Sequence, residues 1–165
     1  MARGGRMLKV GDTVEDFALA DGRGGAVSWA ALRGRPVVVF AYPAASTPGC
    51  TQEACDFRDL GALFDAEGIT VLGLSPDAPK KQSKFASAQS LSMPLLCDPE
   101  RQVLGPWGIW GEKKLYGKAY EGVIRTTLAF DAEGRVTHVW SPVKVAGHAQ
   151  AVLDALRGSA RGGVA

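Results

Sequence analysis

Several residue types are too scarce in this chain to support some common functions. It has three cysteines and two histidines in 165 residues. Three cysteines in a chain of this size do not make a disulfide framework. A structural zinc needs four ligands at suitable spacing, and His138 and His148 stand far from Cys50 and Cys55 with no paired spacing. An excess of one charge is missing too, since the formal net charge of +2 is too small to argue for a nucleic-acid partner. No apolar run approaches the ~18 residues of a membrane span; the longest, "PVVVFAY", is strand-sized. The start carries no continuous apolar segment of a secretory signal. These absences point to a cytoplasmic protein without a membrane or nucleic-acid partner.

What is present suits a soluble core. The length predicts one domain spanning residues 1–165, large enough to fold without staples. The Gly/Arg-rich ends, about residues 1–8 and 158–165, read as flexible tails. Between them, "VEDFALADGRGGAVSW" alternates around a Gly-rich turn and predicts a hairpin, and Ser28 is placed to cap a short helix that Gly34 ends. "RPVVVFAYP" reads as a central buried strand. Ala54, Phe57, Leu60 and Phe64 recur at helical spacing from Thr51 to about Glu67, with Gly68 placed to stop the helix. "ITVLGLSPD" predicts a second buried strand and "APKKQSKFASAQ" an amphipathic helix capped by Asp77. "MPLLCDPE" is a short third strand, and "RQVLGPWGIW" a helical turn. "EGVIRTTLAFDAEGRVTHVW" reads as two antiparallel strands joined at 131–134. The last helix places apolar residues at 149, 152, 153 and 156. This order predicts an α/β protein, a thioredoxin-like mixed sheet with helices on both faces.

The chemistry concentrates in "YPAASTPGCTQEACDFRD", Tyr42 to Asp59, which holds two of the cysteines. An ordinary thiol is a poor nucleophile at neutral pH, and the thiolate is the reactive form. Cys50 lies where a Pro-Gly turn meets a helix start, so free backbone N–H groups and the helix dipole favour negative charge there. Thr47 offers a hydroxyl that could bond the sulfur or an oxygen beside it. Pro43 and Pro48 stiffen the loop and expose fewer competing donors. Five helical residues place Cys55 on roughly the opposite face, with Cα atoms ~8–9 Å apart, beyond the ~7 Å that a disulfide tolerates. If both are helical they cannot bond without unwinding the first turns. A cysteine hydrolase would need a histidine base, and nothing marks His138 or His148 for that role. A thioredoxin-type dithiol oxidoreductase usually carries C-x-x-C, whereas this spacing is C-x-x-x-x-C.

The same stretch resembles the active-site segment of peroxiredoxins, Pro-x-x-x-Thr/Ser-x-x-Cys, matched here by Pro43, Thr47 and Cys50. "WGEKKLYGKAYEGVIRTT", "PVKVAGHAQAVLDAL" and "GDTVEDFAL" are similar to the bacterioferritin comigratory protein (Q-type) class, from about Val10 to Leu156. The resemblance implies a thiol peroxidase reducing hydrogen peroxide and organic hydroperoxides, with Cys50 peroxidatic and Cys55 resolving through an intramolecular disulfide. Thioredoxin or a similar dithiol would recycle it, with no metal or organic cofactor. The family's active-site arginine maps onto Arg125 in "VIRTT". An unpaired guanidinium within that apolar stretch would be costly, so it calls for an anion partner. Glu53, three residues after Cys50 on the same helix face, is placed to orient Arg125. The chain departs from the class at Ala44, where a lysine is frequent, and at Cys97, where serine is common. Cys97 reads as a core thiol, with a spare resolving role as the alternative. An internal resolving cysteine removes the need for a dimer, so a monomer is expected. A redox sensor or holdase using the same cysteines is the competing function.

Overall fold

The structure, a computed structural model, describes residues 6–162. A seven-stranded mixed sheet is ordered β2-β1-β5-β4-β3-β8-β9, and β6 (Trp110–Leu115) and β7 (Lys118–Val123) form a separate hairpin. Its parallel part comprises β3 (Val37–Ala41), β4 (Thr70–Ser75) and β5 (Leu95–Cys97). Antiparallel pairs extend it on both sides: β1 (Ala18–Asp21) and β2 (Ala26–Ser28) beyond β5, and β8 (Thr126–Phe130) and β9 (Val136–Trp140) beyond β3.

All of β3 is buried, which explains its near-continuous apolar sequence. Its alternate residues feed two cores. Val38, Phe40 and Tyr42 face Phe57 of α1 (Pro48–Asp59), Phe64 of α2 (Gly61–Ala66), Phe85 of α3 (Pro79–Gln89) and Val152 and Leu153 of α4 (His148–Gly162). Val37, Val39 and Ala41 face Phe17, Trp29, Trp107 and Phe130, beneath the short 3-10 helix Trp29–Leu32 and the turns of residues 101–108. The mixed, thioredoxin-like sheet with helical cover is the expected fold.

Several local expectations need correction. The helix expected from Thr51 to Glu67 starts at Pro48, where proline suits the first turn, and it breaks at Leu60, ahead of the poor helix former Gly61. Asp77 does not cap α3: Ala78 occupies that position and makes no side-chain cap bond. The strand expected to run through "EGVIRTT" is interrupted. Lys118–Val123 forms β7, paired with β6 (Trp110–Leu115), and β8 begins only at Thr126. Arg125 therefore lies in a two-residue junction rather than within a strand. Of the tails, residues 1–5 and 163–165 lie outside the described residues. Leu8 donates its N–H to the Trp107 carbonyl at 3.1 Å, and Met7 and Leu8 pack on the second core. α4 continues to Gly162. No helix among the described residues is long and apolar enough to cross a membrane.

Candidate active site

The parallel strands end at one edge of the sheet, and there β3 hands the chain to the loop of residues 42–47 and then to α1. Cys50 is the third residue of α1 and 1% exposed, so it sits among the first-turn N–H groups. From the β7–β8 junction, Arg125 donates from Nη2 to Cys50 Sγ at 3.3 Å and from Nη1 to Glu53 Oε1 at 2.7 Å. The two contacts use the guanidinium's planar fork, which fixes its orientation. A side chain at residue 49 would interfere: a Cβ on Gly49 would stand 3.2 Å from Nη2.

The electrostatics of this trio are tightly linked. Burial pushes the Glu53 carboxyl up to about 7; Arg125 opposes the shift. Glu53 Oε2 is buried and has no hydrogen-bond partner. Burial by itself would lower the Arg125 pKa, but Cys50 and Glu53 together raise it. A charged guanidinium thus faces both a thiol and a carboxyl in a largely dry setting. Lys113 on β6 adds a second cation nearby. Its Nζ donates to the Val123 carbonyl at 2.8 Å. Burial first, then Arg125, lowers its pKa, while Cys50 acts in the opposite direction.

Thr47 stands at the N-cap of α1, yet its hydroxyl makes no cap bond and donates to the Ala44 carbonyl at 2.8 Å. Pro43 is half-buried at the start of the same loop. Pro43 and Thr47 thus lie on the loop that leads into α1, while Cys50, Arg125 and Glu53 are joined by direct contacts. Cys55 lies on α1 as well, half-buried, and its thiol donates to Gln89 Oε1 at 3.5 Å. All three cysteines are free thiols. Both Cys50 and Cys55 are helical, so the separation argued from helix geometry holds.

Cys97 ends β5, 2% exposed, with Sγ 3.7 Å from the Leu95 carbonyl. Burial, then Asp21 and Asp77, pushes its thiol up to about 11, which suits a core thiol. Neither histidine ring stands against Cys50 as a base; its side-chain partner is the Arg125 guanidinium, which donates to the sulfur. His148 pairs Nε2 with Thr127 Oγ1 at 2.8 Å, and burial followed by Arg125 lowers its pKa to about 4. His138 Nδ1 lies 2.9 Å from Thr137 Oγ1, and its ring stacks on Trp140. Among the described residues no three His, Cys, Asp or Glu side chains gather as a metal site. Sequence reasoning missed Lys113, whose proximity depends on the unread β6–β7 hairpin. It misread Asp77, because "SPD" before a helix has the pattern of a cap.

A thioredoxin-like sheet presenting a helix-start thiol to a half-buried arginine defines the thiol peroxidase class. Residues 10–139 match the AhpC/TSA family. A putative peroxiredoxin of Mycobacterium tuberculosis is 50% identical over 141 residues, covering 86% of this chain and 90% of the relative. Peroxiredoxin Bcp of Escherichia coli is 41% identical over 150 residues, 91% of this chain and 96% of that protein. Among solved structures, the bacterioferritin comigratory protein of Xanthomonas campestris superposes with a TM-score of 0.84 at 36% identity, covering 90% and 99% of the two chains. The chain belongs to the AhpC/TSA family of peroxiredoxins, in the bacterioferritin comigratory (Q-type) class. It is a thiol peroxidase, an oxidoreductase acting on hydroperoxides with a thiol reductant.

Proposed function

We propose that Cys50 is the attacking thiol, Cys55 the resolving thiol, and a thioredoxin or similar dithiol protein the reductant. The substrates are hydrogen peroxide and organic hydroperoxides. The observation that carries this reading is the 3.3 Å contact between Arg125 Nη2 and Cys50 Sγ at the start of α1. The Cys50 thiolate attacks the terminal peroxide oxygen: an S–O bond forms, the O–O bond breaks, and the leaving oxyanion takes a proton from solvent. Arg125 and the first-turn N–H groups stabilise charge on the two oxygens as it develops. Thr47, whose proton is committed to Ala44, keeps its oxygen free to accept from the hydroperoxide O–H. Pro43, lacking an N–H, stiffens the wall and removes a competing donor.

Cys50 is left as a sulfenic acid. The Cys55 thiolate then attacks the Cys50 sulfur, the S–O bond breaks, water leaves, and a disulfide joins the two. Thiol–disulfide exchange with the external dithiol restores both thiols. Cys97, buried and hard to ionise, takes no part. In this reading one domain works in the cytoplasm, and as a monomer, since both thiols reside on one helix and need no second copy. The test is peroxide consumption with thioredoxin as reductant, by wild type and by Cys50→Ser, Cys55→Ser and Cys97→Ser. Activity is expected to vanish in the first, to lose thioredoxin dependence in the second, and to persist in the third. Turnover surviving Cys50→Ser overturns the reading.

A further inference from the structure

The wall of the site, the loop of residues 42–47, carries Pro43 and Thr47 but has an unfavourable local conformation. Ser46 adopts φ +67°, a left-handed value that costs a non-glycine residue free energy. Such a conformation persists where the surroundings impose it.

Those surroundings are a chain of hydrogen bonds that leaves the loop at Tyr42 and returns to it at Ala45. Tyr42 Oη donates to Gln82 Oε1 at 2.6 Å. Gln82 Nε2 donates to Ser75 Oγ at 2.9 Å and to the Leu96 carbonyl at 3.0 Å. Ser75 Oγ donates to Asp77 Oδ2 at 2.9 Å and accepts the Asp77 N–H at 3.2 Å. Asp77 Oδ2 finally accepts the Ala45 N–H at 2.6 Å, while Oδ1 pairs with Lys81 Nζ at 3.3 Å. Tyr42, Ser75 and Gln82 are fully buried, and every side-chain donor and acceptor along the path has a partner. A satisfied buried network holds its geometry; a broken one leaves unpaired polar groups.

We infer that Asp77 is a positioning residue for peroxide reduction: its carboxylate closes a buried clamp from β4 and α3 that fixes the Tyr42–Thr47 loop, and with it the peroxide-facing Thr47 hydroxyl. The link to Thr47 is short. Ala45 follows Ala44, whose carbonyl accepts the Thr47 proton, so fixing the Ala45 N–H fixes the intervening peptide plane. Cys50 and Arg125 are held separately, by α1 and by Glu53. Loss of the clamp therefore disturbs peroxide alignment more than thiol reactivity.

That difference separates positioning from general damage. The experiment compares the second-order rate of Cys50 oxidation by hydrogen peroxide with its alkylation by iodoacetamide, read on the Cys50 peptide by mass spectrometry. Iodoacetamide needs the thiolate but no aligned O–O bond. In Asp77→Ala the peroxide rate is expected to fall roughly tenfold, as for one lost charge-assisted hydrogen bond. The alkylation rate should stay within about twofold of wild type. Asp77→Asn, which keeps an acceptor for the Ala45 N–H and Ser75 Oγ, should restore most of the peroxide rate. An unchanged peroxide rate in Asp77→Ala, an equal fall in both rates, or no rescue by asparagine overturns the inference. If Asp77→Ala does not fold, Ser75→Ala replaces it, with a smaller loss confined to peroxide expected and an unchanged rate contradicting the clamp. The inference rests on Cys50 being the attacking thiol, and failure of that reading shows separately, as peroxide turnover in Cys50→Ser.

Discussion

Arg125→Lys asks whether the site needs a positive charge or a planar fork. Arginine reaches Cys50 Sγ and Glu53 Oε1 together, at 3.3 and 2.7 Å, from a position only 18% exposed. A lysine ammonium keeps the charge but is a single point on a flexible stem, so it can satisfy one of these partners at a time. Pairing with Glu53 is the stronger alternative, because the carboxyl is buried and already has one unpartnered oxygen. The sulfur and the incoming peroxide then lose a charge-assisted hydrogen bond worth about 1.5–3 kcal/mol. That corresponds to a loss of roughly ten- to a hundredfold in kcat/KM for peroxide. The assay is stopped-flow oxidation of reduced protein, with reduction of the preformed disulfide by thioredoxin as an internal control that should not change. A peroxide rate within twofold of wild type would refute the two-pronged role of Arg125.

The same geometry sets two more expected outcomes. Closing a Cys50–Cys55 bond requires the start of α1 to unwind, breaking the Cys55–Gln89 contact, while the buried Phe57 anchors the remainder of the helix. Hydrogen exchange between Thr51 and Arg58 should therefore quicken in the disulfide form while β3 and β4 stay protected, and equal protection in both forms would contradict this. Glu53 provides a pH signature, because burial pushes its carboxyl to about 7 from an ordinary 4.5. Between those values the unfolded chain has released a proton that the folded chain keeps, so the contribution of Glu53 to stability falls as pH rises from about 4.5 to about 7, while that of His148, whose pKa burial lowers to about 4, rises over the lower part of the same range. Denaturant unfolding across that range should show wild-type stability falling relative to that of Glu53→Gln, which keeps the His148 contribution; parallel curves would remove the buried-carboxyl interpretation.

The elements legible in the sequence were those with a strong period. β3 is apolar throughout, and α4 repeats at residues 149, 152, 153 and 156, all of which are buried. The turn of residues 131–134 announced itself through aspartate and glycine: Asp131 Oδ1 accepts the Glu133 and Arg135 N–H groups, and Gly134 has φ +84°. The β6–β7 hairpin was not legible because half of "EKKLYGKAYE" is charged and most of it is exposed, leaving little apolar alternation to read. Its turn at Tyr116 and Gly117, both at positive φ, was the only local signal. Missing that hairpin displaced Arg125 from a junction into a strand, although its anionic partners were anticipated. Cys50 was readable from its place at a helix start, whereas Arg125 came with the resemblance to peroxiredoxins, with which the need of a guanidinium in an apolar stretch for an anion agreed, and Glu53 followed from its place one turn beyond Cys50. The Tyr42–Ala45 clamp was not, since it joins residues up to 40 positions apart through side-chain hydrogen bonds that have no sequence period.

The most direct test of the two-cysteine cycle is to treat reduced protein with one equivalent of hydrogen peroxide, block free thiols, and map the products by tryptic mass spectrometry. No cleavable site separates Cys50 from Cys55 between Gly34 and Arg58, while Cys97 falls in the fragment from Phe85 to Arg101. A bond between Cys50 and Cys55 therefore leaves the 34–58 peptide unblocked and lighter by two hydrogens, with Cys97 fully blocked after unfolding. That product should dominate. A cross-link between the 34–58 and 85–101 peptides, or a persistent sulfenic acid on Cys50 beside a free Cys55, would contradict it.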